Sequence, residues 1–118
     1  MEKKNLLDEV NSIKELYNYV KIGHFNGNVL SVVQVANRTL DFHVHEQSDE
    51  LFMVLEGSFC LEISENSEIR QIHLNAGEFV IVPKNTTHRP VVTKLAKFLM
   101  IELDGTLNKS NSGDSYSD

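Results

Sequence analysis

Cysteine, tryptophan and long apolar runs are scarce or absent in this chain of 118 residues, and each scarcity narrows the possibilities. The single cysteine, Cys60, cannot form an internal disulfide, so a reducing, cytoplasmic setting is expected. No apolar stretch approaches the roughly 20 residues that a membrane-spanning helix needs. Acidic residues from Glu2 onward are atypical of a signal peptide. These features predict a cytoplasmic protein that does not bind membranes.

Positive charge is also in the minority. Lysine and arginine number 11 against 17 aspartates and glutamates, which gives a net charge of −6. Nucleic acids and anionic membranes need a basic face, so neither is an expected partner. The sequence also has no catalytic Ser-His-Asp pattern, phosphate-binding loop or dinucleotide fingerprint. With 41% hydrophobic residues, a chain of this length is expected to build one domain around one core.

Apolar and turn residues alternate at short intervals. An amphipathic helix is predicted first, from the spacing of Leu6, Val10, Ile13 and Tyr17. Asn26-Gly27 then marks a two-residue hairpin between residues 20–22 and 29–33. Further strands are predicted over residues 40–45, 50–56, 58–64, 69–74, 78–82, 87–92 and 96–103. Many short strands with turns between them indicate an all-β sandwich or barrel.

Three histidines and a glutamate have the spacing of a metal site. His43 and His45 are two apart, so they point to the same face of a strand. Glu50 follows after a four-residue loop, and His88 comes at the start of a later strand. Imidazole nitrogens and carboxylate oxygens are common ligands of divalent transition metals. The sequence therefore predicts one mononuclear site per chain, with zinc, manganese, iron and nickel not distinguished.

The same residues carry a resemblance to the cupin superfamily. Its first motif is matched by His43, His45, Glu50 and Gly57, and its second by Gly77, Pro83 and His88. Asn37, Asn85 and Val92 depart from the pattern, but none of them is a ligand position. Asparagine tolerates a left-handed backbone better than most residues, so Asn85 is a mild replacement for glycine. The resemblance covers roughly residues 28–103. Within the superfamily, the chain most resembles a family of very short bacterial cupins.

A cupin resemblance implies a jelly-roll β-barrel with a short N-terminal helical segment. We expect residues 28–105 to form the barrel and residues 106–118 to form a polar tail. Residues 1–27, the helix and first strand, are candidates for exchange in a homodimer, because open sheet edges need covering and many cupins dimerise.

Five further residues are candidates for a pocket around the metal: Gln34, Phe52, Val54, Phe79 and Arg89. Aromatic residues in strands are more often plain core, and an arginine is more often simply exposed, so each assignment competes with a structural alternative.

The predicted ligand set leaves several functions open. Three neutral imidazoles and one carboxylate around a divalent ion give a net charge near +1, which favours small anionic or chelating ligands. About two coordination positions stay open on an ion that prefers six ligands. One interpretation is a dioxygenase with a redox metal, and another is an isomerase or lyase in which the metal polarises a carbonyl. The third is a binding module that holds a small molecule without turnover.

Overall fold

The computed structural model describes residues 1–106, which form one short helix and nine antiparallel strands. The elements are α1 (Leu6–Asn11), β1 (Val20–Phe25), β2 (Asn28–Val35), β3 (Arg38–Thr39), β4 (Glu50–Glu56), β5 (Ser58–Glu65), β6 (Glu68–Asn75), β7 (Phe79–Val82), β8 (Thr87–Val92) and β9 (Ala96–Leu103). A large sheet runs β1-β2-β9-β4-β7, and a small sheet runs β3-β8-β5-β6. This all-β architecture is the predicted cupin jelly roll.

The core lies between the two sheets because each strand alternates between apolar and polar or outward-facing residues. Phe52 and Phe98 from the large sheet meet Phe59 and Leu61 from the small one, all less than 5% exposed. The Phe59 and Phe98 rings stack with centroids 5.1 Å apart. Burial of several large rings supplies much of the free energy of folding, at about 25 cal/mol per Å² of apolar surface.

Helix α1 packs on the outer face of the large sheet. Val10 and Ile13 bury against Val32 and Leu99 in a second apolar cluster. Asn5 caps the helix, because its side-chain oxygen accepts a hydrogen bond from the Asp8 amide. The apolar spacing predicted a helix from Leu6 to Tyr17, but the helix ends at Asn11. Tyr17 adopts a left-handed backbone (φ 63°), which no α-helix accommodates.

The predicted strand over residues 40–45 does not form as a continuous ladder. Thr39 pairs with Val91, and the next paired residues are His43 and His88. Four steps on one strand therefore oppose three on the other, so one extra residue bulges out. The bulge shifts the alternation, and Leu40, His43 and His45 all become buried. The two histidines share one face, as predicted, but the bulge sets which face that is.

Other boundaries follow the sequence closely. Asn26 and Gly27 both have positive φ (50° and 79°), as the predicted hairpin turn requires. Asn85 is also left-handed at φ 67°, which confirms that asparagine serves at that motif position. Of the tail predicted over residues 106–118, all but Thr106 lies outside the described residues. Within residues 1–106, no helix has the length and apolar content needed to cross a membrane.

Gly57 makes a close approach that predicts a large effect of substitution. It has φ +80°, and a Cβ there would lie 2.3 Å from the backbone oxygen of Leu95. Gly27 has φ +79°, but no atom lies within 4 Å of where its Cβ would stand, so it is the matched control. We expect Gly57→Ala to lower the free energy of unfolding by about 3 kcal/mol and Gly27→Ala by about 1 kcal/mol. Urea unfolding measures both; equal losses would contradict the steric argument.

Candidate metal centre

Four buried side chains from separate parts of the chain converge inside the barrel. Glu50 is the first residue of β4, His88 lies in β8, and the bulged segment supplies His43 and His45. One ligand atom from each residue lies within 4.8 Å of the other three. His43 is 8% exposed and the other three are each 1% exposed. The four residues that the sequence singled out are therefore brought together, and His43 is the most exposed of them.

Backbone carbonyls fix the orientation of two of the rings. The Nδ1 of His88 lies 2.7 Å from the carbonyl oxygen of Thr86, and the Nδ1 of His43 lies 3.0 Å from that of Asp41. A carbonyl oxygen only accepts, so each Nδ1 must donate a proton. In the neutral ring the Nε2 lone pair is then free to bind a metal, which is how metal-ligating histidines are usually held.

The contacts of Glu50 call for a cation. Its Oε1 lies 3.0 Å from the Nε2 of His88 and 3.1 Å from the Nε2 of His45. A neutral His88 ring carries its one proton on Nδ1, where it donates to Thr86. Its Nε2 and the Oε1 of Glu50 would then both be acceptors, with no proton between them. Within residues 1–106, the buried Oε2 of Glu50 has no hydrogen-bond partner. A proton on His88 relieves the repulsion, and a metal ion would relieve it while also offering a partner to the carboxylate.

The titration behaviour of these groups follows from burial and proximity. Burial, with help from the nearby charge of His88, lowers the pKa of His43 from 6.5 to about 4. Burial alone would raise the pKa of Glu50, but the adjacent His45 and His88 rings, which stabilise the carboxylate when they carry a proton on Nε2, outweigh it and hold that pKa below its usual value. At neutral pH the site therefore presents a neutral His43 and an ionised Glu50, the forms that bind metal.

Sequence reasoning missed a second carboxyl group beside the site. Glu102 of β9 is 2% exposed, and its Oε2 lies 3.8 Å from the Nε2 of His45. The signal was present, because Phe98, Met100 and Glu102 are two apart and the first two are core residues. An acidic residue on the strand face that points into the core is uncommon unless it is paired or has a function.

The five pocket candidates separate into two groups. Phe52 and Val54 are buried inside the barrel, and the Phe52 ring centroid lies 6.0 Å from that of His88. The other three lie elsewhere. Gln34 donates to the carbonyl oxygens of Val10 and Ile13, so its amide serves the end of α1.

Phe79 and Arg89 point away from the barrel interior. Phe79 is 59% exposed on the edge strand β7. Arg89 alternates with the inward His88 and binds Glu62 on the outer face, with Nε to Oε1 at 2.8 Å. Strand parity explains both placements, since neighbours of an inward residue face outward. Cys60 is half-buried, and burial with the nearby Glu62 charge raises its thiol pKa, which disfavours a nucleophilic role.

The depressed pKa of His43 predicts an acid-sensitive fold when metal is absent. The unfolded chain takes up this proton near pH 6.5 and the folded chain only near pH 4, so unfolding binds a proton between these values. Stability must therefore fall as pH falls through that window, by about 3 kcal/mol in total. Urea unfolding in chelator at pH 7 and pH 4.5 measures it. His43→Gln should reduce the loss, and the exposed control His73→Gln should not; equal pH dependence in all three proteins would contradict the assignment.

Comparison with known proteins agrees with this fold. The Cupin domain family matches residues 29–102. A 3-hydroxyanthranilate 3,4-dioxygenase from Scheffersomyces stipitis is 33% identical over 81 residues, covering 69% of this chain and 47% of that protein. The uncharacterized protein YdbB of Bacillus subtilis is 33% identical over 86 residues, 73% of each chain. The chain thus spans about half the length of the dioxygenase that it matches.

A solved structure supports the same conclusion. The crystal structure of a cupin-2 domain containing protein from Shewanella frigidimarina superposes with a TM-score of 0.76 at 26% identity, over 85% of this chain and 93% of that one. The fold of this chain, the family match over residues 29–102 and the two motifs that contain the histidines all point to the same family. The chain belongs to the cupin domain family.

Proposed function

We propose that this cupin binds one divalent metal ion, iron in its active form, through His43, His45, Glu50 and His88. We further propose that it uses the ion for an oxygen-dependent reaction on a small hydroxylated or otherwise oxygen-rich molecule. The observation that carries the proposal is the convergence of four buried ligand atoms within 4.8 Å, with Glu50 Oε1 3.0 Å from His88 Nε2, a contact that a metal ion between them would relieve. Iron is favoured because the matched relatives include 3-hydroxyanthranilate dioxygenases.

The donor set suits this chemistry. Three imidazole nitrogens and one carboxylate oxygen hold iron without closing its coordination, which leaves about two positions for other ligands. A redox-active ion at this centre would supply electron exchange with dioxygen. The chain's own residues do the rest: Phe52, whose ring centroid lies 6.0 Å from that of His88, keeps water away from one side, and Glu50 offsets part of the ion's charge.

Glu102 supports a more specific view of the ligand. Its carboxyl lies beside His45 Nε2 and so borders the same space. Ionised, it brings the net charge of the loaded site from about +1 to about 0 and accepts a hydrogen bond. The ligand that fits presents a metal-binding oxygen together with a nearby hydroxyl or amino group that donates to Glu102. A simple anion would be repelled by this second carboxylate.

Oxygen uptake tests the proposed function directly. Protein loaded anaerobically with Fe²⁺ is mixed with a panel of hydroxylated aromatics, including 3-hydroxyanthranilate, and with sugars and oxo-acids. We expect oxygen consumption with one or more of the aromatic compounds and none with zinc-loaded protein. Turnover without oxygen uptake would instead support isomerase or lyase chemistry, and tight ligand binding without turnover would support a binding module.

Two isosteric variants separate the roles of the two buried carboxyls. Glu50→Gln should lower metal affinity by tenfold or more, because it removes the only anionic ligand. Glu102→Gln should retain nearly full metal content but weaken ligand binding by about tenfold, the value of one hydrogen bond to a charged group. Elemental analysis and ligand titration measure the two quantities. Loss of metal from Glu102→Gln alone would make Glu102 the ligand and overturn this assignment.

We also propose that the protein is a homodimer. The outer face of the large sheet beside α1 is apolar, with Leu51, Met53 and Ile101 only partly buried. It continues onto edge strand β7, where Phe79 and Ile81 are 59% and 53% exposed. A second copy would cover both the apolar face and the open edge. The exchange of residues 1–27 between two chains stays a prediction. The contacts that this segment makes within one chain would be the same if it packed on a partner chain instead.

Sedimentation tests the dimer. The expected mass is twice the chain mass of 13.4 kDa at micromolar concentration. Ile81→Lys should shift the protein toward monomer, because it places a charge in the proposed interface. Ile69→Lys is the control, since Ile69 is 55% exposed on β6 of the other sheet. A wild-type mass near that of one chain, or equal dissociation by both variants, would contradict the proposed interface.

A further inference from the structure

Four side chains form a continuous row across the outer face of the small sheet, on the reverse side of the metal centre. Glu62 is the cross-strand partner of Arg89 on one side and of Gln71 on the other. The antiparallel bridge between His43 and His88 places Phe42 opposite Arg89 in the same way. The row therefore runs Phe42, Arg89, Glu62 and Gln71.

Each member of the row contacts the next. The guanidinium carbon of Arg89 lies 4.1 Å from the centroid of the Phe42 ring, which is a cation–π contact. Arg89 Nε donates to Glu62 Oε1 at 2.8 Å, and Gln71 Nε2 donates to Glu62 Oε2 at 2.9 Å. Both carboxylate oxygens are thus occupied, and these hydrogen bonds lower the pKa of Glu62. An ionised Glu62 fixes the direction of the guanidinium.

The segment at the end of this row is held at its far end by Asn85 N to His45 O at 2.7 Å and Leu103 N to Ser48 Oγ at 2.9 Å, but it pairs with β8 at few points. Residues 40–49 form no regular strand. Their backbone reaches β8 through the paired amides and carbonyls of His43 and His88, both at 3.0 Å, and through Leu40 N to Pro90 O at 3.1 Å. Yet this segment carries two of the four converging ligand residues. Its alignment with β8 decides whether His43 and His45 meet His88 and Glu50.

We propose that Arg89 and Phe42 are positioning residues, which clamp the bulged segment to β8 from outside and so hold His43 and His88 in register for metal binding. Because His43 and Phe42 are neighbours, as are His88 and Arg89, a contact between the outer pair constrains the inner pair through the shared backbone. Glu62, held by Gln71, sets the direction of Arg89. The inference rests on the proposed metal site and not on the identity of the reaction.

Metal affinity is the first measurement. Zn²⁺ dissociation constants, from competition with a chromophoric chelator, should rise about tenfold for Phe42→Leu and for Arg89→Met, the range found for residues that orient metal ligands. The double variant should lose little more than either single one, because the two residues act as one contact. Phe42→Tyr keeps the ring and should bind Zn²⁺ like the wild type. Arg70→Met is the matched control, since Arg70 pairs with Glu65 on the same sheet at 3.7 Å and does not belong to the row.

Amide hydrogen exchange supplies a second readout that needs no metal. In the metal-free variants Phe42→Leu and Arg89→Met, the amides of His43 and His88 should exchange faster than in the wild type. The amide of Val54, which donates to Glu78 O at 3.0 Å in the large sheet, should be unchanged. A general loss of stability would accelerate all three, so the contrast separates positioning from simple destabilisation.

The outcomes are distinguishable. If the wild type binds no Zn²⁺, the proposed metal site fails. If the wild type binds and both variants bind equally well, or if Arg70→Met loses as much affinity as they do, the clamp is wrong. Additive losses in the double variant would likewise overturn it, since independent residues form no clamp.

Discussion

The contact between one oxygen of Glu50 and two histidine nitrogens is the constraint on which the rest of the site depends. A carboxylate buried to 1% exposure is costly unless it is neutralised, and a protein interior offers few ways to do so. Here the His88 ring has its other nitrogen committed to the Thr86 carbonyl. A cation between the groups would satisfy all of them, and β4, β8 and the segment before β4 bring the groups together.

The fold solves a geometric problem that one strand could not. Glu50 and His88 come from opposite sheets, so the sandwich itself brings them together. The bulge before His43 then turns two further imidazoles inward without an additional strand. Bulges are frequent next to functional sites for this reason: they re-aim a side chain at the cost of local pairing. The lost pairing leaves the segment joined to β8 at only a few backbone hydrogen bonds, at Leu40 and His43.

The sequence predicted the architecture and the converging residues well because both depend on local or strongly patterned information. Period-two alternation, the Asn26-Gly27 turn and the motif spacing are all readable from neighbours in the chain. Three placements were not readable in the same way. Gln34 was expected near the cavity, but its side chain completes the hydrogen bonding at the end of α1, a contact 21 and 24 residues away. Phe79 faces outward with its cross-strand partner Met53, a pairing between residues distant in sequence. Arg89 faces outward by alternation with His88, and the fold shows that His88 points into the barrel.

Glu102 shows why a site can be recognised from sequence while its selectivity is not. Charge alone, counted over the predicted ligands, gives about +1 with a divalent ion and favours an anion. The structure adds a second carboxyl at 3.8 Å from His45, brought there by a strand more than 50 residues away in the chain. If Glu102 is ionised, it would cancel that charge and favour a ligand that offers a hydrogen-bond donor. Under the proposed function, the four converging residues would bind the metal ion, and Glu102 on the neighbouring strand β9 would set which ligand groups suit the site.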